Sequence, residues 1–471
     1  MPPQPPEPTT LGALRNSGAA PLRSVREEIR TNLLDRLRNG KQIFHGVLGY
    51  EDTVIPAVEN ALLCGHDLIF LGERGQAKTR MIRQLTQLLD EWVPAIEGSE
   101  IHDDPRQPVS AFGRARVAEL GDDTPVVWVH RDARYVEKLA TPDVSIADLI
   151  GDVDPVKVAA GRTLADEDTM HFGLVPRTHR GIFCINELPD LTEKVQVGLF
   201  NVMEERDVQI KGYRIRLPID VLVVASANPE DYTSRGRIIT PLKDRYAAQV
   251  RTHYPPTPEL ELEVVRQEAD LPEVPGVELA VPDYMQEILA EITFQARASP
   301  DVNQASGVSV RMSIANYETL AANAARRALA EGEAFGVPRI SDLGALETST
   351  LGKLELEYAG GDRSESEVAR DLARRACKAV FERRCDPDAL APLVAAFDEG
   401  WKVEVGAFLP SPEYLAGLEQ IGPLADAARD LAGREEPAFM AAAIEFLLEG
   451  LHLSNRLNKT DHERGARYAR G

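Results

Sequence analysis

Residues 72–79 read Gly-Glu-Arg-Gly-Gln-Ala-Lys-Thr. Gly72 and Gly75 let the backbone turn inward so that several N–H groups face one anion. Lys78 adds a cation, Thr79 adds a hydroxyl, and the following residues read as helix, whose N-terminus carries partial positive charge. This set suits a polyphosphate, with Lys78 on the terminal phosphates and Thr79 on Mg²⁺. The candidate nucleotide-binding residues are therefore Gly72, Glu73, Arg74, Gly75, Gln76, Ala77, Lys78, Thr79 and Arg80. Ala77 stands where a glycine is usual before the lysine. If its φ is positive, the methyl costs about 1–2 kcal/mol.

A second constellation ends the apolar run GIFCIN at Asn186-Glu187. The usual pair is Asp-Glu, the first on Mg²⁺ through water, the second polarising the attacking water. Asn186 keeps an amide oxygen for a metal-bound water but lacks the charge. Glu187 is the candidate catalytic base. The run VLVVASAN ends at Asn228, whose amide suits a γ-phosphate or the attacking water. Arg245, in PLKDRY, is a candidate finger for a neighbouring subunit's phosphate, with Arg235 and Arg237 as competitors. Arg311, in VSVRMSI, starts an amphipathic helix and can reach phosphates from a lid.

These residues need a frame. DLIFLG (67–72), VVWVH (126–130), GIFCIN (181–186) and VLVVASAN (221–228) read as buried strands alternating with helical patterns such as 79–92 and 192–206. That alternation indicates an α/β fold with a parallel sheet. Residues 93–124 read as a long loop or insertion. After the Pro-rich HYPPTPEL (253–260) the chain reads as helices, clearest at 259–270, 282–297, 309–331, 364–385, 388–401 and 424–452. The resulting plan is a Pro-rich disordered tail (1–22), an α/β core (23–255), a helical lid (256–362) and a C-terminal helical region (363–471). The last residues, KTDHERGARYARG, read as a solvated basic end.

Composition narrows the function. With 53 Lys and Arg against 75 Asp and Glu, the net charge is −22, which argues against coating nucleic acid. The excess acid is densest in 256–362, a solvated surface or a docking face for a basic partner. No apolar run is long enough to span a membrane. The N-terminus lacks the basic start and apolar core of a secretory signal. Four cysteines without CxxC spacing suit reduced, buried thiols in the cytoplasm. His130-Arg131-Asp132 spells a kinase triplet without its companion motifs.

Taken in order, GERGQAKT, LATPDVSIADLIGD, FGLVPRTHRGIFCINELPDL, VLVVASANPED, PLKDRY and VSVRMSI resemble AAA+ ATPases of the helix-2-insert group. Within it they resemble the ATPase (I) subunit of magnesium chelatase and its MoxR-like relatives, over roughly residues 45–360. The resemblance implies a P-loop parallel-sheet core with an insert at 148–181 and a β-hairpin at 206–224 turning at Lys211-Gly212, then a helical lid. It implies ATP and Mg²⁺ as cofactors. It assigns Lys78 and Thr79 to phosphate and metal, Asn186 and Glu187 to the acidic motif, Asn228 to the first sensor, Arg245 to the finger and Arg311 to the second sensor. It further implies a homo-oligomeric ring, a hexamer, working beside a von Willebrand factor A-domain partner. Magnesium insertion into a porphyrin would need the other chelatase subunits.

Two other readings stand beside this remodelling motor. Asn186 favours a regulatory scaffold that binds nucleotide and hydrolyses it slowly or not at all. A transcription activator is the third; SAFGR (110–114) matches its grip loop poorly, and no terminal helix-turn-helix is read.

Overall fold

The strand that precedes Gly72 lies inside a five-stranded parallel sheet. The strands are β1 (Leu68–Leu71), β2 (Tyr135–Leu139), β3 (Gly181–Asn186), β4 (Val221–Ala227) and β5 (Ala248–Arg251), in the order β5-β1-β4-β3-β2. This computed structural model describes every residue except 1–3, 19–20, 155, 157–158, 160–166, 210–215, 229–235, 305, 358–362, 387, 417, 419–420, 463–464 and 471. The chain divides into two units, Met1–His253 and Tyr254–Gly471.

Both sheet faces are buried, as near-continuous apolar strands require. Leu68, Phe70, Ile182, Cys184, Leu222 and Val224 pack on one face with Met81 and Ile82 of the helix Lys78–Gln84. Ile69, Phe183, Ile185, Val223 and Ala225 face the other side. Parallel register pairs Leu71 with Ala227 and with Arg251, Ala225 with Ile185, and Leu139 with Asn186. All five strands therefore end at one edge, where open α/β sheets bind their ligands.

A buried ion pair anchors the opposite end. Arg134, 1% exposed, donates to both Glu28 oxygens at 2.8 and 2.7 Å and to the Arg180 carbonyl at 2.7 Å. It ties the helix Val25–Arg38 to the starts of β2 and β3. Removing one member of such a pair strands the other charge.

Several expectations change here. VVWVH is not a strand of the main sheet. It pairs antiparallel with Trp92–Ile96, Trp92 opposite His130, and β2 takes its place. Residues 93–124 are not one long loop: Trp92–Ile96 is a strand and Ala111–Leu120 a helix capped by Ser110. The helix expected over 79–92 ends at Gln84, becomes a 3₁₀ turn to Leu88, and gives way to the Trp92 strand. The helix expected over 192–206 is two short helices meeting at Gly198-Leu199.

The Pro-rich start was expected to be disordered, yet Leu11–Asn16 is a helix with Leu11 and Leu14 buried. The Pro8 carbonyl accepts the Trp128 indole N–H at 2.8 Å, and the Thr9 carbonyl accepts from the Val126 N–H at 2.8 Å. Apolar side chains and free backbone groups, invisible to a compositional reading, hold this segment against the 126–130 strand.

The insert region shows a hairpin of Gly151–Val153 with Met170–Phe172. The second hairpin pairs Asp207–Gln209 with Arg216–Pro218, and its Lys211-Gly212 turn lies outside the described residues.

In the second unit one core runs through both the lid and the C-terminal region, from Ile288 and Met312 to Phe381, Phe446 and Tyr468. Its long helices are Asp283–Ala298, Val310–Glu331, Glu365–Arg384 and Pro437–Leu453. The expected solvated end is instead a hairpin of Asn458–His462 and Gly465–Ala469, joined by Val403–Val405. Tyr468 is 2% exposed and its hydroxyl donates to Glu449 on the helix Pro437–Leu453. Cys184 and Cys377 are buried as expected, but Cys64 is exposed.

His179 gives the first unit a pH signature. Its ring is buried and its Nδ1 accepts the Asp220 N–H at 2.9 Å, which fixes the neutral form. Burial, with Arg180 beside it, pushes its pKa down to about 4. The unfolded chain then binds the proton first, so the contribution is whole above about pH 6.5 and falls as pH drops toward 4. Unfolding free energy should fall by about 2 kcal/mol between pH 7 and pH 5 from this group. Denaturant melts of wild type and His179→Gln test it. The variant should show a flatter profile across that window; equal slopes would contradict the assignment.

Candidate functional site

The loop leaves β1 at Gly72, whose N–H donates to the Ala227 carbonyl at 3.2 Å. A Cβ at Gly72 would sit 1.9 Å from Thr252 Oγ1 and 2.2 Å from Gln76 Oε1, so a larger residue would have to push that hydrogen-bonded pair apart. Thr252 donates to Gln76 Oε1 at 2.7 Å, which also accepts the Glu73 N–H at 3.0 Å. The Tyr50 hydroxyl lies 3.0 Å from the Gln76 carbonyl and 2.7 Å from that of His253. Burial pushes the Tyr50 pKa up to about 12, so it stays a donor. The loop is thus held from both sides by neutral hydrogen bonds.

Gly75 has φ 78° and Ala77 has φ 54°, ψ 11°. Ala77 therefore occupies the left-handed region, and its methyl carries the anticipated cost of about 1–2 kcal/mol. It caps the helix Lys78–Gln84. Lys78, 8% exposed, donates to the Gly72 carbonyl at 2.5 Å, the Glu73 carbonyl at 2.8 Å and Asn228 Oδ1 at 2.8 Å.

Asn228 follows the last residue of β4 and links two candidates. Its amide accepts from Lys78 and donates to Glu187 Oε2 at 2.7 Å. Glu187 has φ 55°, ψ 48°, a second strained non-glycine residue at the site. Its N–H donates to Ser226 Oγ at 3.3 Å. Lys78, Asn228 and Glu187, expected from three separate motifs, thus form one hydrogen-bonded line.

Asn186 faces a neighbour absent from the sequence reading. Its Nδ2 donates to Glu137 Oε1 at 2.5 Å, and its Oδ1 accepts from Ser226 Oγ at 3.2 Å and Cys184 Sγ at 3.4 Å. Glu137 also accepts from Arg83 at 2.8 and 3.0 Å and from the Tyr135 hydroxyl at 3.0 Å. The hydrogen bond from Arg83 is the main cause holding the Glu137 carboxyl below the usual range. The sequence signal was available as a Tyr-x-Glu on a strand, but nothing in YVEKL says which strand it pairs with.

A cavity of about 390 Å³ beside the loop is lined by Leu71, Gly72, Glu73, Gln76, Lys243, Arg251 and Thr252. Lys243 and Arg251 against Glu73 leave this lining with a net positive charge. Neither was singled out in the sequence. Among the described residues no three His, Cys, Asp or Glu side chains could cage a metal. Mg²⁺ keeps its waters and takes few protein ligands beside phosphate oxygens. Thr79, Glu137 and Glu187 are hard oxygen donors of the right kind.

The arginines are distributed differently. Arg245 is folded back: it donates to the Pro241 carbonyl at 2.8 Å, pairs with Glu204, and lies over the Phe200 ring at 4.4 Å. Arg237 is largely exposed, 3.5 Å from Glu193. Arg235 falls outside the described residues. Arg311 is exposed at the start of the helix Val310–Glu331 in the second unit.

Comparison with known proteins adds to this geometry. A family model described as the Sigma-54 interaction domain matches residues 161–243. The magnesium-chelatase subunit ChlI of Nostoc sp. is 23% identical over 369 residues, 77% of this chain and 87% of that protein. The same subunit of Anabaena variabilis is 24% identical over 342 residues, 72% and 89% of the two chains. A solved chain from the complex between subunits BchI and BchD of magnesium chelatase aligns at 20% identity and TM-score 0.35, over 72% of this chain and 95% of that one. The chain resembles an AAA+ ATPase of the magnesium-chelatase I type, with an α/β core and a helical C-terminal region.

Ala77 supplies the prediction. Ala77→Gly relieves the left-handed strain but loosens the unfolded chain, so it should raise stability by about 0.5–1 kcal/mol. Chemical denaturation reads this directly, and a loss of stability would contradict the strain.

Proposed function

We propose that this chain binds ATP with Mg²⁺ at Gly72–Thr79 and hydrolyses it, working as an AAA+ motor that remodels or activates a partner protein. The observation that carries the reading is the line Lys78–Asn228–Glu187 at the carboxyl edge of the sheet, with bonds of 2.8 and 2.7 Å. Bound Mg²⁺ would neutralise charge on the β- and γ-phosphates, with the Thr79 hydroxyl to hold it.

The chain's own residues do the rest. The Lys78 ammonium exchanges carbonyl partners for phosphate oxygens. Asn228 keeps the Glu187 carboxylate aimed while its other amide atom faces the lysine. Glu187 polarises the attacking water as general base. Arg245 leaves Glu204 and Phe200 when offered to a neighbour's γ-phosphate, which makes a monomer a poor ATPase and a homo-oligomeric ring, a hexamer, the working form. Arg311 takes the second-sensor role that the resemblance assigns to it. The resemblance supports a von Willebrand factor A-domain protein as partner. The regulatory scaffold remains the alternative for a chain with Asn186 in the acidic motif.

The family match to 161–243 favours a second reading, a transcription activator. Salt-dependent DNA binding would support it; none is expected at a net charge of −22.

Nucleotide binding and phosphate release separate the motor from the scaffold. Lys78→Ala should weaken ATP binding at least about 100-fold, since it removes a charged donor from a buried site. Glu187→Gln should keep binding but lower turnover by about 10²–10⁴. Full turnover in Glu187→Gln would overturn its role, and binding without turnover in wild type would leave the scaffold.

A further inference from the structure

Asn186 stands where the acidic motif normally carries a metal-facing carboxylate, and the geometry around it shows where the missing charge is. The Asn186 amide is satisfied on both sides. Its oxygen accepts from Ser226 and Cys184, and its N–H donates to Glu137. The opposite amide orientation would turn an oxygen toward a carboxylate, so the N–H must face Glu137.

Glu137 is one strand away from the motif but on the same sheet face. Register pairs it with Cys184, and Leu139 with Asn186. The helix Lys78–Gln84 packs on this face through Met81 and Ile82. Arg83, which grips Glu137, follows Thr79 by four residues, so both project from one side of that helix. Glu137 therefore lies under the helical face that begins at the metal-binding hydroxyl. The Arg83 side chain is 62% exposed, so solvent screens this bidentate pair.

Resting on the ATP-site reading above, we infer that Glu137 supplies the negative charge of the Mg²⁺ site, taking the place of the acid absent at Asn186. Asn186 is then a spacer whose N–H fixes the carboxylate, and Mg²⁺ meets Glu137 through its water shell, as this strongly hydrated ion commonly does. Arg83 competes with the metal for the same oxygens. An aspartate at 186 would face Glu137 at hydrogen-bond distance and be repelled by it.

The test is calorimetric titration of Mg²⁺ into the full chain saturated with a non-hydrolysable ATP analogue. Binding of the analogue without metal is measured first. Its failure in wild type would sink the ATP-site reading itself. Given that binding, Glu137→Gln should weaken Mg²⁺ about tenfold, whereas Arg83→Ala, which removes the competitor, should tighten it about threefold. The pair Glu137→Gln with Asn186→Asp, which moves the charge back, should return affinity to within about threefold of wild type. Unchanged Mg²⁺ affinity in Glu137→Gln would overturn the inference. So would weakening by Arg83→Ala, since Glu137 would then serve only to seat Arg83. The Arg83 arm decides the matter alone if Glu137→Gln does not fold.

Discussion

A buried ammonium must be surrounded by acceptors, and Lys78 sets the form of the site by that requirement. It collects the carbonyls of Gly72 and Glu73 and the amide of Asn228. The first two bend the loop inward. The third ties the loop to β4. Asn228 then passes the constraint to Glu187. Left-handed backbone at Ala77 and Glu187 is tolerated because the hydrogen bonds on either side over-determine it. On the proposed reading, an entering phosphate makes Lys78 change partners, which couples binding to the placement of Glu187.

Parallel register makes that convergence available. Neighbouring parallel strands ending together bring Gly72, Glu187 and Asn228 to one edge although more than 150 positions separate the first from the last. Thr252, just past β5, braces the loop through Gln76, and Glu137 reaches Asn186 from β2. β3, β4 and β5 thus end in or lead into polar side chains at this edge, while their apolar residues fill the two faces.

What could be read from the sequence was what is contiguous or periodic. GERGQAKT is one segment, and GIFCIN and VLVVASAN are apolar runs ending in polar residues, so the loop between β1 and its helix, β3, β4 and their terminal side chains were legible. The φ of Ala77 was not, because composition does not fix a dihedral. VVWVH has the apolar character of a core strand, but its pairing with Trp92–Ile96 depends on a partner that reads as loop. Glu137 was missed because its meaning lies across a strand pair. Leu11 and Tyr468 were read as tail residues because Pro-rich and basic surroundings conceal single apolar anchors. The finger role expected of Arg245 concerns a neighbouring subunit, which one chain does not display.

The central claim is that Lys78, Asn228 and Glu187 form a working ATPase centre completed by a neighbour. Steady-state phosphate release by the purified chain, measured across protein concentration, tests it most directly. Turnover per subunit is predicted to rise with concentration as rings assemble and then to level. A chain that binds ATP yet releases no phosphate at any concentration would contradict it.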